Sequence, residues 1–433
     1  MSCLSRPPLP AAPVLLLGLL LSGRLGAGDW PGWRGPTGQG IADEKGLPLT
    51  WGGKDGANVL WKVPLPGTEA NARQDQNQSS PIVWRDRVFL TASYWPAGKS
   101  TKQFPEHHVV CLRSNDGKHL WDRTVAPGPW RLDDLRGGYT APTPATDGQR
   151  IYVLFGSAVL AALDLDGKVI WRQEISPHDY DVAIGNSPVL FEETVLLMCD
   201  QLSQKKSSRL LAFEAKSGRL KWEKKRRSAD WTHSTPVVAR IKERAFLLVA
   251  GASGLEGLDP RSGETLWKGG LPGGARTGDT VSPVFGGGVV YADSGRGGPG
   301  VAVDPTGAGD VSKTHIKWKV PQVPEGFSSP VVLDDRLYRL HRPEVLTCRD
   351  MATGKPVFSE RLTGVSVTAS PFVTPDGRIY CASAGKSYVL KAGPKLEVLG
   401  TSDLGDPGEA SPAVANGRLF LKGHRFLYCV GKK

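Results

Sequence analysis

The sequence is poor in the residues that most often carry chemistry. Its six cysteines include no adjacent pair, no C-x-x-C and no C-x-x-C-H, which excludes a thiol redox motif and covalent c-type haem. No G-x-S-x-G is present, so a nucleophile elbow is excluded. The Gly-rich passage Asp293–Gly300, DSGRGGPG, lacks the lysine and the strand-to-helix setting of a phosphate-cradling loop. Cys3 is the only early cysteine, so a lipid-modified cysteine at a cleavage site is not expected. Acidic residues are outnumbered, with 43 Asp and Glu against 54 Lys and Arg, a balance that favours anionic partners.

Residues 1–28 read as a secretory signal peptide. Arg6 supplies the positive start, Ala11 to Leu21 the apolar run, and Gly26, Ala27 and Gly28 the small residues before a polar chain. Export to the periplasm or extracellular space is the expectation. No transmembrane segment follows, and nucleic acid is not an expected partner. Five cysteines then remain, Cys111, Cys199, Cys348, Cys381 and Cys429. An odd number on separate segments argues against a disulfide framework.

The body of the chain repeats. A small hydroxyl residue and a proline open each copy, at Pro81, Pro144, Pro188, Pro236, Pro283, Pro330, Pro371 and Pro412. Most successive copies stand forty-odd residues apart, and each carries short apolar runs separated by turns. That is a propeller-blade period. Near the end of a copy a small residue is followed by an acidic one, a Gly turn and an aromatic residue: CLRSNDGKHLW, ALDLDGKVIW, AFEAKSGRLKW, GLDPRSGETLW and CRDMATGKPVF. Asp-Gly, Ser-Gly and Thr-Gly tolerate the positive φ of a tight hairpin. The tryptophan combines a large apolar face with an N–H that can bond a neighbouring turn. Trp61, Trp121, Trp171, Trp222, Trp267 and Trp318 occupy this slot and are assigned a structural docking role.

These motifs resemble the tryptophan-docking repeats of the pyrroloquinoline-quinone (PQQ)-like β-propellers, a superfamily that includes BamB and the quinoprotein alcohol dehydrogenases. The resemblance covers residues 58–433 and implies an all-β, eight-bladed propeller of four-stranded antiparallel blades. The segment Asn58–Gly67, NVLWKVPLPG, supplies one strand before the first full copy, and the last copy ends after three. The N-terminal strand is therefore expected to close the ring. Residues 29–57, rich in Gly, Pro and Trp, form an irregular arm in which Trp30 and Trp33 pack on the propeller. The run Lys224 to Arg227 is expected at a solvated blade edge, and the adjacent His107 and His108 on opposite faces of a strand.

Loops leading into the inner strands should converge on the central funnel. Arg73, Gln76, Asn77, Asp181, Asn186, Trp231, His233, Arg276 and Asp279 are the ligand-binding candidates there, suited to a small anionic or sugar-like ligand. No residue is assigned a catalytic role and no metal set is found. The resemblance admits PQQ with calcium as a cofactor, but quinoprotein dehydrogenases hold PQQ between a Trp and a disulfide of adjacent cysteines, which this sequence lacks. The functional expectation is an exported, monomeric, non-catalytic binding or scaffolding module of the cell envelope, with envelope proteins or polysaccharide as partners. The alternative is a PQQ-dependent oxidoreductase using the funnel.

Overall fold

A computed structural model describes residues 28–176, 184–201, 208–226, 232–251, 254–270 and 280–432. Its strands form eight antiparallel sheets, each with a four-stranded meander, arranged as an eight-bladed propeller. Blade 1 is built from Ile82–Trp84, Arg87–Trp95, Glu106–Arg113 and His119–Val125, and blades 2 to 7 repeat that order. Blade 8 takes three strands from the C-terminal segment, Ala413–Ala415, Arg418–Lys422 and Phe426–Gly431, and its outer strand from Val59–Pro64. The expected ring closure is thus present: Val63 pairs with Leu427 and Trp61 with Cys429. No blade is left with a missing outer strand.

The same irregularity recurs in all eight blades. At the start of each outer strand two residues oppose one on the third strand, as where Leu112 pairs with His119 but Cys111 with Trp121, and the same step occurs in the other seven. A β-bulge bends the strand and re-aims the next side chain. Here that side chain is usually the tryptophan, which is turned onto the hairpin glycine of the following blade. A Cβ at Gly218, where φ is +72°, would lie 2.6 Å from the Trp171 ring. The indole N–H groups of Trp61, Trp121, Trp171 and Trp318 donate to Ser114 O, Leu165 O, Ala215 O and Met351 O at 2.9–3.0 Å.

Two tryptophans depart from this pattern. The Trp222 ring lies against Gly263, but its N–H and that of Trp267 are buried without an acceptor. In blade 5 the third-to-fourth connection folds back as Gly309–Asp310 and pairs in parallel with the outer strand of blade 4 at Trp267 and Lys268. The turn that Trp267 would meet is displaced by that added strand. Blade 7 has Gly400 in the slot, and the carbonyl of Leu49 occupies the space a side chain would take, 2.2 Å from the Cβ position. The reason is topological. Blade 8 receives its fourth strand from elsewhere, so it has no third-to-fourth hairpin on which a tryptophan could dock.

Apolar side chains collect between neighbouring blades rather than in one central core. One cluster joins blades 1 and 2 through Phe89, Trp121, Ile151 and Phe155, and another joins blades 2 and 3 through Tyr152, Trp171, Val195 and Phe213. Cys111, Cys348 and Cys429 lie fully buried among such residues, and all five described cysteines are free. Within the basic run the alternation of the strand separates the charges. Lys225 is exposed, whereas Arg226 is buried and pairs with Asp200 at 2.7 Å. The expectation of a wholly solvated run fails at that residue, because its side chain points into the blade.

Candidate functional site

The hydroxyl residue before each repeated proline has a shared task. Ser80 N donates to Thr143 Oγ1, Thr143 N to Ser187 Oγ, Ser187 N to Thr235 Oγ1 and Thr235 N to Ser282 Oγ, at 2.8–3.1 Å. Ser282 N continues to Ser329 Oγ, Ser329 N to Ser370 Oγ and Ser370 N to Ser411 Oγ, at 2.9–3.1 Å. At seven of the eight blade junctions around the axis, one blade's backbone thus bonds the next blade's side chain. Ser or Thr is needed because the hydroxyl must reach sideways while the following proline leaves no N–H to satisfy.

This ring forms the floor of a funnel of about 510 Å³. Its mouth is lined by Arg136, Arg296, Arg342, Glu325, Glu409 and His233. Arg342 faces Glu325 at 3.7 Å, and Gln78 Nε2 donates to Glu409 at 2.5 Å and to the carbonyl of Arg136 at 3.3 Å. The Arg296 guanidinium lies 5.3 Å over the ring of Phe327, which also meets His233 edge-on at 6.3 Å. The result is a polar concavity carrying both signs of charge around an aromatic side chain.

The other end of the channel is closed by the arm. Trp30 exchanges backbone hydrogen bonds with Val83 of blade 1, Thr146 N donates to Pro31 O, Phe285 N donates to Gln39 Oε1, and Val373 bonds Gly40 and Ala42. The arm thereby touches inner strands on both sides of the ring. Trp33 lines the funnel above and a cavity of about 350 Å³ below, so it partitions the channel. Arg34 is 2 % exposed, has φ +59° and stacks 5.5 Å from the Trp33 ring. Its Nη2 donates to the carbonyls of Pro330 and Gln39, and burial without a carboxylate lowers its pKa to about 9.

The candidates divide accordingly. His233 lines the funnel, and Asn186 lies fully buried between its wall residues Gly185 and Ser187. Arg73 is exposed outside it, 5.8 Å over Trp95. Gln76 and Asn77 line a separate cleft. Asp181, Trp231, Arg276 and Asp279 lie outside the described residues. Sequence reasoning missed Arg296, Glu325 and Arg342, which come from the second-to-third connections and inter-blade loops of blades 5 and 6. The second-to-third connections rise on the same side as the loops before the prolines, and Glu325 stands in one of the latter, ahead of Pro330. Arg136 sits at the end of the long insert after blade 1, already conspicuous by its length.

Above blade 1, the inserts form an apolar cap of Trp95, Phe104, Leu132 and Tyr139. Beneath it His107 is held between Ser93 Oγ at 2.9 Å and Ser157 Oγ at 2.8 Å and stacks on Phe155. Burial lowers its pKa to about 3. His108 points the opposite way, to Asp122 at 2.8 Å, as alternation requires.

Among the described residues no set of side chains marks a site for PQQ with calcium. The described cysteines sit on separate blades, and the described residues hold no group of three His, Cys, Asp or Glu side chains that could share a metal ion. No helix among them is long and apolar enough to cross a membrane.

Comparison with known proteins places these features in a wider group. The family described as outer membrane protein assembly factor BamB matches residues 105–360. No curated protein sequence matches the chain. Among solved structures, BamB from Moraxella catarrhalis is 13 % identical with a TM-score of 0.56, covering 85 % of this chain and 99 % of that one. The quinohemoprotein alcohol dehydrogenase from Comamonas testosteroni is 13 % identical with a TM-score of 0.65, covering 94 % and 81 %. A europium-containing methanol dehydrogenase is 12 % identical with a TM-score of 0.54, covering 91 % and 89 %. At such identities the likeness concerns the fold alone.

Proposed function

From the premise that this chain belongs to the family of the outer membrane protein assembly factor BamB, we propose that it is an exported, non-catalytic binding or scaffolding module of the cell envelope. The observation that carries this reading is the asymmetry of the channel. The chain's own arm closes one end, and the other is a single open concavity with Arg342, Glu325 and Arg296 at its mouth. Charges of both signs on a rigid rim suit recognition of a polar partner surface, where they set orientation and association rate. The partner class is an envelope protein or a polysaccharide. The second reading, a PQQ-dependent oxidoreductase, draws on the likeness in fold to the quinohemoprotein alcohol dehydrogenase.

Thermal unfolding with and without PQQ plus calcium separates the two. A ligand at a hundred times its dissociation constant adds about 2.7 kcal/mol to the native state. No shift is expected. A clear rise in midpoint, accompanied by dye reduction with an alcohol, would replace scaffolding with oxidoreduction. A photo-crosslinking residue at position 342 should in turn capture an envelope component, and failure to capture any would remove the support for scaffolding.

A further inference from the structure

The funnel ends blind, and one side chain sets its depth. Trp33 stands across the channel where the arm passes beneath the ring, half-buried and lining the funnel. The other two tryptophans of the arm, Trp30 and Trp51, are buried. Trp33 is thus the arm tryptophan that keeps part of its ring open to the channel. A glycan or peptide running past would need two openings, but the bonds of the arm to Val83, Thr146, Phe285 and Val373 close one of them. What enters must therefore enter by an end. At about 510 Å³ the space lies within the range of small-ligand sites and admits no folded domain.

The charges at the mouth cancel. Arg136 pairs with Asp134 at 2.6 Å, Arg342 faces Glu325 at 3.7 Å, and Glu409 is a third carboxylate beside the third guanidinium, Arg296. The charged end of a peptide would meet no excess of the opposite sign. The groups remain within reach, however: the side chain of Arg342 is 62 % exposed and that of Glu325 38 %. Glu409 takes its bond from Gln78 on Oε2, and Thr368 adds a half-buried hydroxyl to the wall. Donors and acceptors in near balance, above an aromatic floor, match a neutral sugar. Its hydroxyls both donate and accept, and its C–H face can lie against an indole.

We infer that the funnel holds the terminus of a neutral glycan, its last sugar ring against Trp33 and the hydroxyls of the preceding ring shared among Arg342, Glu325 and Glu409. This rests on the reading of the funnel as a binding site, and narrows the partner to a saccharide.

Calorimetric titration of the whole protein with cellobiose, maltose and N,N′-diacetylchitobiose tests it, with digalacturonate and tetraglycine as the charged comparisons. At least one neutral disaccharide is expected to bind more tightly than about 1 mM, and both charged ligands at least tenfold more weakly than that one. Trp33→Leu keeps an apolar side chain but removes the flat face, and should weaken the disaccharide at least tenfold. Arg342→Ala should weaken it several-fold, whereas Lys225→Gln, exposed on the outer strand of blade 3, should leave it unchanged. Binding of none of the three disaccharides overturns the proposal. So does equal binding of digalacturonate or tetraglycine, or an affinity that both funnel variants leave unaltered. Should Trp33→Leu fail to fold, the solvent-facing Arg342→Ala decides by the same criterion. Capture of a protein by the crosslinker at position 342, with no disaccharide bound, would keep the scaffolding reading and remove this one.

Discussion

The two ends of the central channel are built from opposite materials. At the closed end, the arm lies against the inner strands through backbone bonds and a buried aromatic, Trp30, at 2 % exposure. At the open end, charged side chains project from loops over a floor of hydroxyls. Both are set around one eightfold scaffold, so the scaffold does not dictate the difference. The closed end is a matter of stability, because removing its aromatics exposes apolar surface between blades. The open end is free to vary, because loops on a rigid ring carry little of the fold.

Substitutions should sort by end. The largest effect is expected from Trp30→Ala, which empties the space between the arm, Gly35 and Phe372. A loss of about 3–5 kcal/mol in urea unfolding is predicted; a loss below about 1 kcal/mol would show that the arm is an attachment rather than part of the core. Next comes His107, under the cap on the open side. Its folded pKa of about 3 lies below the ordinary 6.5, so the unfolded chain takes up a proton that the native state refuses. The stability this group provides is complete above about pH 6.5 and is lost as pH falls towards 3. By pH 5 the loss should reach about 2 kcal/mol, and His107→Gln should flatten that part of the stability–pH curve. An unchanged slope would mean that the cap opens readily to water. The smallest effect belongs to Arg342→Ala at the mouth. Its partner Glu325 is 3.7 Å away and both are solvent-facing, so unfolding stability should change by less than about 0.5 kcal/mol. A larger loss would erase the contrast between the two ends.

Much of this architecture was legible in the chain. The repeated prolines located every inner strand, and the Gly-to-aromatic spacing located five of the outer ones, because both follow from local rules for turns and strand starts. The site was legible only in part. His233 lies where its place before Pro236 suggested, whereas Arg73 and Asn77, equally placed before Pro81, do not reach the funnel. Their stretch is diverted: Arg73 and Gln74 pair with Trp95 and Tyr94 as an added strand on blade 1, a contact that no spacing announces. Arg296 and Arg342 are not legible as funnel residues because charged loop residues carry no mark of which rim they join.

The sequence by itself determined the period, the number of blades, the strand that closes the ring and the residues that wedge neighbouring blades together. Each depends on residues close in the chain, or on a simple count of strands. Only the tertiary structure decided that the arm stops one end of the channel and that Gly400 yields its slot to Leu49. Those outcomes are contacts between segments far apart in the chain. They arise from how a closed ring brings its first and last blades together, which no local preference encodes.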